Sequence, residues 1–409
     1  MPEFPLLDLP ATRDAAFARA RAFAPHMGAE YGHKRNHVVP GHPHVSRLAA
    51  AVRVRLISED ELAKIALEEH GNLSSCFKFV QEIHWRSYWR SWLELRPKVW
   101  SQYEENRAQI EENLDSKQRK TIEFTERGES GVGAMDLFAH ELIETGYLHN
   151  HARMWFAAFW IHTQNLPWQL GADFFERHLA CACPASNTLS WRWVAGLQTQ
   201  GKTYLARRSN LEKYCDPFYL DDGNGLEKLE KPHSAAVPPE DAPPARVPDF
   251  QLEVGDSDEP TGIWISEDDL APETSILASV AAKCSLVSLV KTPREERSNG
   301  IRDNYRRQAI ADAAARAKVA WNAPGETVEV ADSLELASRI EEWARENELR
   351  RVVALKPFVG PSGDALAELE KSLSEAGIEL ILVRRAEDAR LLPAANSGYF
   401  KFWKAIETG

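Results

Sequence analysis

Residues 146–179 read GYLHNHARMWFAAFWIHTQNLPWQLGADFFERHL, and residues 184–215 read PASNTLSWRWVAGLQTQGKTYLARRSNLEKYC. Apolar residues recur in both stretches at the three- and four-residue spacing of amphipathic helices. Pro167 and Pro184 stand between the apolar runs, where a proline ends one helix or begins the next. The pattern predicts helices over about 150–164, 171–180 and 187–198.

The same spacing extends toward the N-terminus and predicts helices over about 57–71, 72–95, 98–113 and 134–146. In ISEDELAKIALEEHG, residues 57–71, Ser58 precedes the apolar run, Glu61 follows three residues later and Gly71 stands just past its end. This is the signature of a capping box with a glycine stop. Residues 1–230 are therefore predicted to form an all-α domain.

The pattern changes after residue 230. Residues 231–260 are rich in Pro, Ala and acidic residues without periodicity, which predicts a linker or a segment that wraps the surface. Short β-branched runs at 261–266, 285–290, 350–356 and 378–384 then alternate with helical stretches at 301–318, 333–347 and 363–376. This alternation predicts a small α/β domain with a parallel sheet over residues 261–409, and hence a multidomain fold.

Composition limits the classes of protein that need to be considered. The chain has 409 residues, a net charge of -12 and 44% hydrophobic residues, enough for two cores. Residues 1–230 carry 27 Lys and Arg against 30 Asp and Glu, and residues 231–409 carry 22 against 31. This balance argues against non-specific coating of DNA, although a local basic cleft in the first half is compatible with it.

Location is predicted from what the sequence lacks. No run approaches the roughly 20 apolar residues of a membrane span, and the N-terminus has neither a basic region nor an apolar run typical of a secretion signal. The five cysteines are few, odd in number and unlike a disulfide framework. A cytoplasmic protein without disulfides and without membrane partners is expected.

Tryptophans concentrate in the helical part, which holds nine of the thirteen. Trp85, Trp89 and Trp92 share one helix face, and core packing is the simplest interpretation of such a stripe. Glu82 and Arg86 add a carboxylate and a guanidinium to the same surface, which a plain core would not accept unless they were paired. A binding site on this helix is the alternative.

Two clusters have the residue types of metal ligands without the usual spacing. The histidines lie in HKRNHVVPGHPH, residues 33–44, where prolines and a glycine favour a solvated or phosphate-facing loop over a zinc site. Cys181 and Cys183 are one residue apart, unlike the common zinc motif, and an iron-sulfur cluster would need further thiolates. No metal site is predicted, and the two thiols are either small buried apolar groups or face a ligand.

The order of the segments QEIHWRSYWR, GYLHNHAR and PASNTLSWRW resembles the FAD-binding helical domain of the photolyase/cryptochrome superfamily over about residues 25–220. The resemblance implies that FAD is held between helices, beside a cavity that receives a base flipped out of DNA. Flipping is needed because a stacked base is out of reach of the chemistry. In photolyases, light-excited reduced flavin passes an electron to a pyrimidine dimer, splits it and recovers the electron.

The resemblance also assigns residues to the cofactor. It implies that the FAD phosphates are held by Tyr31, Ser46, Arg47 and Leu48. The segments around the flavin and adenine supply Arg86, Asn150, Arg153, Cys181, Cys183 and Asn187, with Asn187 opposite flavin N5.

A second group is implied to act on the substrate or on electrons. Glu82 matches the residue that bonds the dimer, and Trp85 and Trp193 match the tryptophans that line the cavity. Trp191 and Trp168 match the inner two of three tryptophans that relay electrons to photoexcited flavin. The outermost relay tryptophan has no match in this chain.

Three departures from the family pattern bear on function. Val45 and Ala49 replace the hydroxyls that flank the phosphate segment. Cys181 and Cys183 replace two aspartates, which removes up to two negative charges beside the flavin and leaves Arg153 without its expected partner. The α/β domain follows the FAD domain, where the family places an α/β antenna domain before it, and the order of GIWISEDDLAPE, EAGIELILVRRAEDA and SGYFKFWKAI suggests a circular permutation.

The predicted protein is a FAD-binding, photolyase-like flavoprotein. One function is blue-light-driven repair of pyrimidine dimers in DNA, with a flipped-out lesion as the bound partner. The alternative is a cryptochrome-like light sensor or redox flavoprotein without repair activity, and a third is a fold that has lost its flavin.

Overall fold

A helical part and an α/β part follow each other along the chain, which confirms the predicted fold class. The structure, a computed structural model, describes residues 3–5, 7–198, 203–220, 223–291, 297–298 and 300–407. The α-helices described in the first part are α1 Arg13–Phe23, α2 Ala29–Lys34, α3 Ala49–Arg53, α4 Glu59–His70, α5 Leu73–Ile83, α6 Trp85–Glu94, α7 Lys98–Asn113, α8 Ser116–Glu126, α9 Gly133–Thr145, α10 Asn150–Ala158, α11 Trp168–His178, α12 Pro184–Val194 and α13 Arg208–Tyr214.

The second part contains one parallel sheet with helices around it. Its strands are β1 Thr261–Ser266, β2 Cys284–Val290, β3 Gly325–Val330, β4 Arg351–Leu355 and β5 Glu379–Val383. Its helices are α14 Ile301–Ala320, α15 Ser333–Glu346, α16 Pro361–Asp364, α17 Leu366–Glu375, α18 Ala386–Leu391 and α19 Tyr399–Glu407. The strand order is β3-β2-β1-β4-β5, and all pairs are parallel.

Local chemistry accounts for both ends of α4 and for the start of α5. Ser58 and Glu61 form the predicted capping box at the start of α4, and Gly71 ends that helix in the left-handed conformation. Asn72 then caps α5 by accepting a hydrogen bond from the Ser75 amide at 3.0 Å. The single helix predicted over 72–95 is in fact two, because α5 ends at Ile83 and α6 begins at Trp85.

The edge strand β3 was not predicted from the sequence. Its segment GETVEV is mostly exposed and alternates charged with apolar residues, so it lacks the continuous apolar run that identified the other strands. It pairs with β2 from Ser285 and Gly325 onward.

One hydrophobic core joins the two parts of the chain. Along β1, Ile263 and Ile265 point into the core that also contains the helical part, whereas Trp264 points into a second core with α15 and α17. Alternate strand residues face opposite sides of a sheet, so the sheet is covered on both faces, as parallel sheets require. Helix α14 packs on the face of Ile263 and Ile265 and shares their core with the helical part, whereas α15 and α17 pack on the face of Trp264.

Residues 231–260, predicted as a linker or wrapping segment, contain no helix or strand and run along the surface. The Arg246 amide donates to Leu95 O at 3.0 Å, and Gln251 bridges to Val383 of β5. Glu240 accepts a hydrogen bond from Gln169 at 3.0 Å. None of the described helices combines the length and apolar character needed to cross a membrane.

Candidate flavin site

The segment predicted to hold the FAD phosphates is a strained turn before α3. Arg47 has a φ of 57°, a left-handed conformation that few non-glycine residues adopt. Ser46 is fixed from two sides, because its carbonyl accepts from Arg19 Nε at 3.0 Å and its hydroxyl accepts from the Leu48 amide at 3.4 Å. The Leu48 side chain is buried in the core, so it supports the turn by packing.

Cations around this turn have donors that no described group satisfies. Arg47 Nε and Arg86 Nη1 are buried without a hydrogen-bond partner among the described residues. Burial lowers the pKa of Arg19, and the charge of Arg47 lowers it further, so two guanidinium groups lie close together. Buried unpaired donors are costly, and an anion satisfies them.

The donor set fits the diphosphate of FAD, because guanidinium groups bind phosphate oxygens well. Tyr31, also predicted at the phosphates, packs edge-on against Phe79 with ring centroids 5.1 Å apart. Burial raises the pKa of Tyr31, so its hydroxyl is neutral.

Replacement of the family's aspartates by Cys181 and Cys183 was expected to leave Arg153 without a partner. In the structure Arg153 contacts the Cys181 thiol instead. Arg153 Nη2 lies 3.2 Å from Cys181 Sγ, and Arg153 Nε donates to Leu148 O at 2.7 Å. The thiol sulfur therefore takes the place expected of the carboxylate, although sulfur is a weaker acceptor.

Cys183 differs from the neutral thiol predicted from the sequence. Burial opposes its ionisation, but the charges of Arg86, Arg90 and Arg53 outweigh burial and lower its pKa to about 7. Cys183 also stands at the N-cap of α12, where a helix dipole favours negative charge. Part of the negative charge of the replaced aspartate is thus retained as a thiolate near neutral pH.

The arginines around Cys183 come from two helices. Arg53, the last residue of α3, donates from Nε to Ala182 O at 2.8 Å. Arg90 of α6 donates from Nη2 to Arg53 O at 2.6 Å. The sequence did not point to Arg53 or Arg90, because neither lies near the cysteines along the chain.

The two asparagines predicted beside the flavin lie in different surroundings. Asn187 is buried and donates from Nδ2 to Ala172 O at 2.8 Å, so its amide group ties α12 to α11. Asn150, the first residue of α10, is exposed. Asn187 therefore has a hydrogen-bond partner within the helical part, whereas Asn150 lies at the surface.

The face predicted to receive the DNA lesion is covered by the chain itself. Tyr399, the first residue of α19, lies flat on Trp85 with ring centroids 3.6 Å apart and an interplanar angle of 9°. Its hydroxyl donates to Gln81 O, and Ser397 O accepts from the Tyr88 hydroxyl at 3.1 Å. The α/β part therefore contributes a side chain to this face.

The other predicted lesion residues also have partners. Glu82 is ion-paired with Lys78 at 3.1 Å and Arg35 at 3.5 Å. Trp193 packs against Tyr204 with ring centroids 5.6 Å apart. The sequence offered one signal for the covering helix, since the apolar spacing of Tyr399, Phe402 and Trp403 is that of a packed helix face.

The two predicted relay tryptophans lie at neighbouring helix segments. Trp168 begins α11, and the ring of Trp191 packs on Gly171 one turn later, where an added Cβ would lie 2.3 Å from Trp191 Cη2. Trp191 also contacts Phe175 edge-on at 5.1 Å. Gly171 thus makes room for the close approach of Trp191 to the first turn of α11.

The predicted histidine loop is partly buried. His42 bonds Glu141 at 2.7 Å and is 1% exposed, so it is neither solvated nor turned to a surface anion. His33 remains exposed on α2.

Comparisons with known proteins match the helical part. Residues 79–218 match the family described as the FAD binding domain of DNA photolyase. A deoxyribodipyrimidine photo-lyase of Streptomyces griseus is 30% identical over 196 residues, which cover 45% of this chain and 42% of that protein. A cryptochrome DASH of Natronomonas pharaonis is 31% identical over 144 residues, covering 34% and 30%.

A solved Synechocystis cryptochrome is also similar, with 19% identity, a TM-score of 0.47 and coverage of 56% of this chain and 51% of its own. The chain spans less than half the length of the curated relatives described above. Residues 79–218 of this chain are therefore similar to the FAD-binding domain of photolyases, and the same part of the chain is similar to cryptochromes.

Proposed function

We propose that this protein binds FAD and uses it for light-driven electron transfer without repairing pyrimidine dimers, as a cryptochrome-like light sensor or redox flavoprotein. The proposed absence of dimer repair is supported by the stack of Tyr399 on Trp85, with ring centroids 3.6 Å apart. A flipped base needs an open aromatic surface to stack on, and this surface is already buried by a ring of the same chain.

FAD is supported by the family match and by the unsatisfied cations at the phosphate turn. Ser46, Arg47 and Arg86 would hold the diphosphate, and Arg153 with the two thiols would border the flavin. Bound FAD supplies one-electron chemistry at the site. The protein contributes the arginines around Cys183, of which Arg53 is paired with Asp268 and Arg90 with Glu59.

Dimer repair is the second candidate, because Glu82 and Trp85 match the residues of the family that face a lesion. For repair, α19 would have to leave Trp85, and Glu82 would have to release Lys78 and Arg35. DNA with a flipped-out lesion is the partner that this function requires.

The experiment that separates these functions uses the purified full-length chain loaded with FAD. We expect the visible absorption of bound flavin to change on blue illumination, and dimer-containing DNA to remain unrepaired when the flavin has been chemically reduced. Light-dependent repair would overturn the proposal in favour of the second candidate. A protein that takes up no added FAD would exclude both.

We also propose that the α/β part corresponds to the antenna domain of photolyases, placed after the FAD domain. From β1 the chain adds strands first on one side of the sheet and then, with β4, on the other. The crevice between β1 and β4 is the usual ligand position in such sheets. Here Arg55 lies at that position, bonded to Asp269 at 3.0 Å and to Asp388 at 2.6 Å, and the remaining cavity is about 10 Å³. A cavity of this size leaves no room for a chromophore at this position.

A further inference from the structure

The turn between α11 and α12 places two thiols one residue apart. Cys181 and Cys183 flank Ala182 in this turn, and each is 4% exposed. The turn is fixed by a hydrogen bond from the Ala182 amide to Leu179 O at 3.0 Å. Two residues of chain span at most about 7 Å, which includes the Cα separations of roughly 4.4–6.8 Å found in disulfides. The backbone spacing is therefore compatible with a bond between the two sulfurs.

Cys183 lies among positive charges that carboxylates balance only in part. Arg53 and Arg90 have carboxylate partners 2.8 and 3.7 Å away. Arg86 has no carboxylate partner among the described residues, and its Nη1 is buried without a hydrogen bond. This surplus of positive charge stabilises a thiolate at Cys183 against the effect of burial.

The sulfur of Cys181 also has a cation beside it. Arg153 Nη2 lies 3.2 Å from Cys181 Sγ, and Arg53 Nε donates to the carbonyl of Ala182, between the two cysteines, at 2.8 Å. In thiol–disulfide exchange both the attacking and the leaving sulfur carry negative charge. Each sulfur of the pair thus has a guanidinium group that stabilises its charged form.

The other three cysteines of the chain have the properties of ordinary core thiols. Burial raises the pKa of Cys76, Cys215 and Cys284. Such thiols pack as small apolar groups and react slowly. The pair at 181 and 183 differs by its guanidinium neighbours, and the described residues contain no cluster of three or more metal-ligating side chains that would make it part of a metal site.

We propose that Cys181 and Cys183 form a peroxide-sensitive redox pair, in which Cys183 reacts with the oxidant and Cys181 closes a reversible disulfide. A small oxidant suits thiols that are only 4% exposed, and a reactive thiolate beside a second cysteine is the usual arrangement of redox-sensing sites. Oxidation removes the negative charge beside Arg86, which also bonds Ala49 O next to the phosphate turn. The reaction needs no flavin, so it goes beyond the proposed function and does not depend on it.

Peroxide is the only oxidant that the reaction requires. The Cys183 thiolate attacks one peroxide oxygen, the O–O bond breaks, and a sulfenic acid and hydroxide form. The Cys181 sulfur then displaces the hydroxyl group from Cys183, which forms the S–S bond, and the Cys181 proton leaves with that hydroxyl as water. The two cysteines lose two electrons, which reduce peroxide to water. Two equivalents of a thiol in solution reverse the change and are oxidised to their own disulfide.

The test treats the full-length protein as purified, in the dark at pH 7, with hydrogen peroxide and follows its cysteine-containing peptides by mass spectrometry. We expect Cys181 and Cys183 to become joined, with the loss of two hydrogens, and dithiothreitol to restore both thiols. Cys183 should react at least about a hundredfold faster than Cys284, because burial raises the pKa of Cys284 to about 11.

Cys181→Ser separates the two roles, because it leaves the reactive thiolate without a second thiol. We expect Cys183 in this variant to stop at the sulfenic acid, which dimedone traps. Cys183→Ser should leave Cys181 unmodified over the same time. Cys284→Ala is the matched control and should form the disulfide as the unaltered protein does.

A reaction of Cys183 no faster than that of Cys284 would overturn the proposal. Accumulation of a sulfenic or sulfinic acid at Cys183 of the unaltered protein, without a disulfide to Cys181, would overturn it as well. Both results come from the unaltered protein, so they decide the question even if a serine variant fails to fold by circular dichroism. A separate sample receives FAD: a protein that forms the disulfide but takes up no FAD loses the proposed function and keeps the redox pair.

Discussion

The phosphate turn and the lesion face, two ends of one predicted site, differ in how far the chain satisfies its own groups. At the phosphate turn, Arg47 and Arg86 each keep a buried donor without a partner among the described residues. At the lesion face, Glu82 has two cations and Trp85 has the ring of Tyr399. The first end keeps cationic donors unsatisfied, and the second is closed by contacts within the chain.

The difference shows that matching residues do not imply a matching surface. Glu82 and Trp85 keep the identities found in the resembled family, yet their surroundings come from α19, far along the chain. Cys181 and Cys183 depart from the family, yet Arg153 and three other arginines stay near them. Identity at a position and availability of its side chain are separate properties.

The largest effect is expected from opening the lesion face. Tyr399→Ala removes a buried ring, its stack on Trp85 and its bond to Gln81, and it should lower the free energy of unfolding by about 3–5 kcal/mol. Urea unfolding measures this change. The neighbouring Phe400 is 77% exposed, so Phe400→Ala should change the free energy by no more than about 0.5 kcal/mol.

Equal effects of the two substitutions would mean that α19 does not hold the lesion face closed. The phosphate turn and the lesion face would then not differ, because both would be open in solution.

A smaller effect is expected from the charge of Cys183, which shares Arg86 with the phosphate turn. The pKa of Cys183 in the folded protein is about 7, below the usual value for a thiol, so the unfolded chain binds more protons between pH 7 and 9. The Cys183 thiolate therefore contributes up to about 3 kcal/mol to the free energy of unfolding. This contribution is fully present above about pH 9 and is lost as the pH falls through 7.

Unfolding free energies measured at pH 6 to 9 in the unaltered protein and in Cys183→Ala test this slope. The free energy of unfolding should no longer rise between pH 7 and 9 in Cys183→Ala. It should still rise in Cys284→Ala, because burial raises the pKa of Cys284 to about 11 and this thiol does not titrate in that range. A rise that persists in Cys183→Ala would assign the titration to another group.

The smallest effect is expected from a single cation at the phosphate turn. Arg47→Ala should weaken FAD binding by about ten- to a hundredfold, the loss of one charged hydrogen bond worth roughly 1.5–3 kcal/mol. Flavin fluorescence titration measures it. Trp85→Phe at the lesion face serves as the control and should leave the FAD dissociation constant unchanged; a similar loss in both variants would remove the distinction between the two ends.

Much of the fold could be predicted because its signals are local. The capping box at Ser58, the break at Pro167 and the β-branched runs of β1, β2, β4 and β5 each depend on neighbours in the chain. The polar edge strand β3 escaped prediction because its position is fixed by pairing with β2 instead of by its own apolar pattern.

The sequence by itself determined the helical part, the sheet that follows it and the residues predicted to surround a FAD site. Only the tertiary structure decided the closure of Trp85 by Tyr399, the acidity of Cys183 and the contact of Arg153 with Cys181. The physical reason is distance along the chain. Helix caps and periodicity act within a few residues, whereas ring stacking, charge and burial act between side chains that only folding brings together.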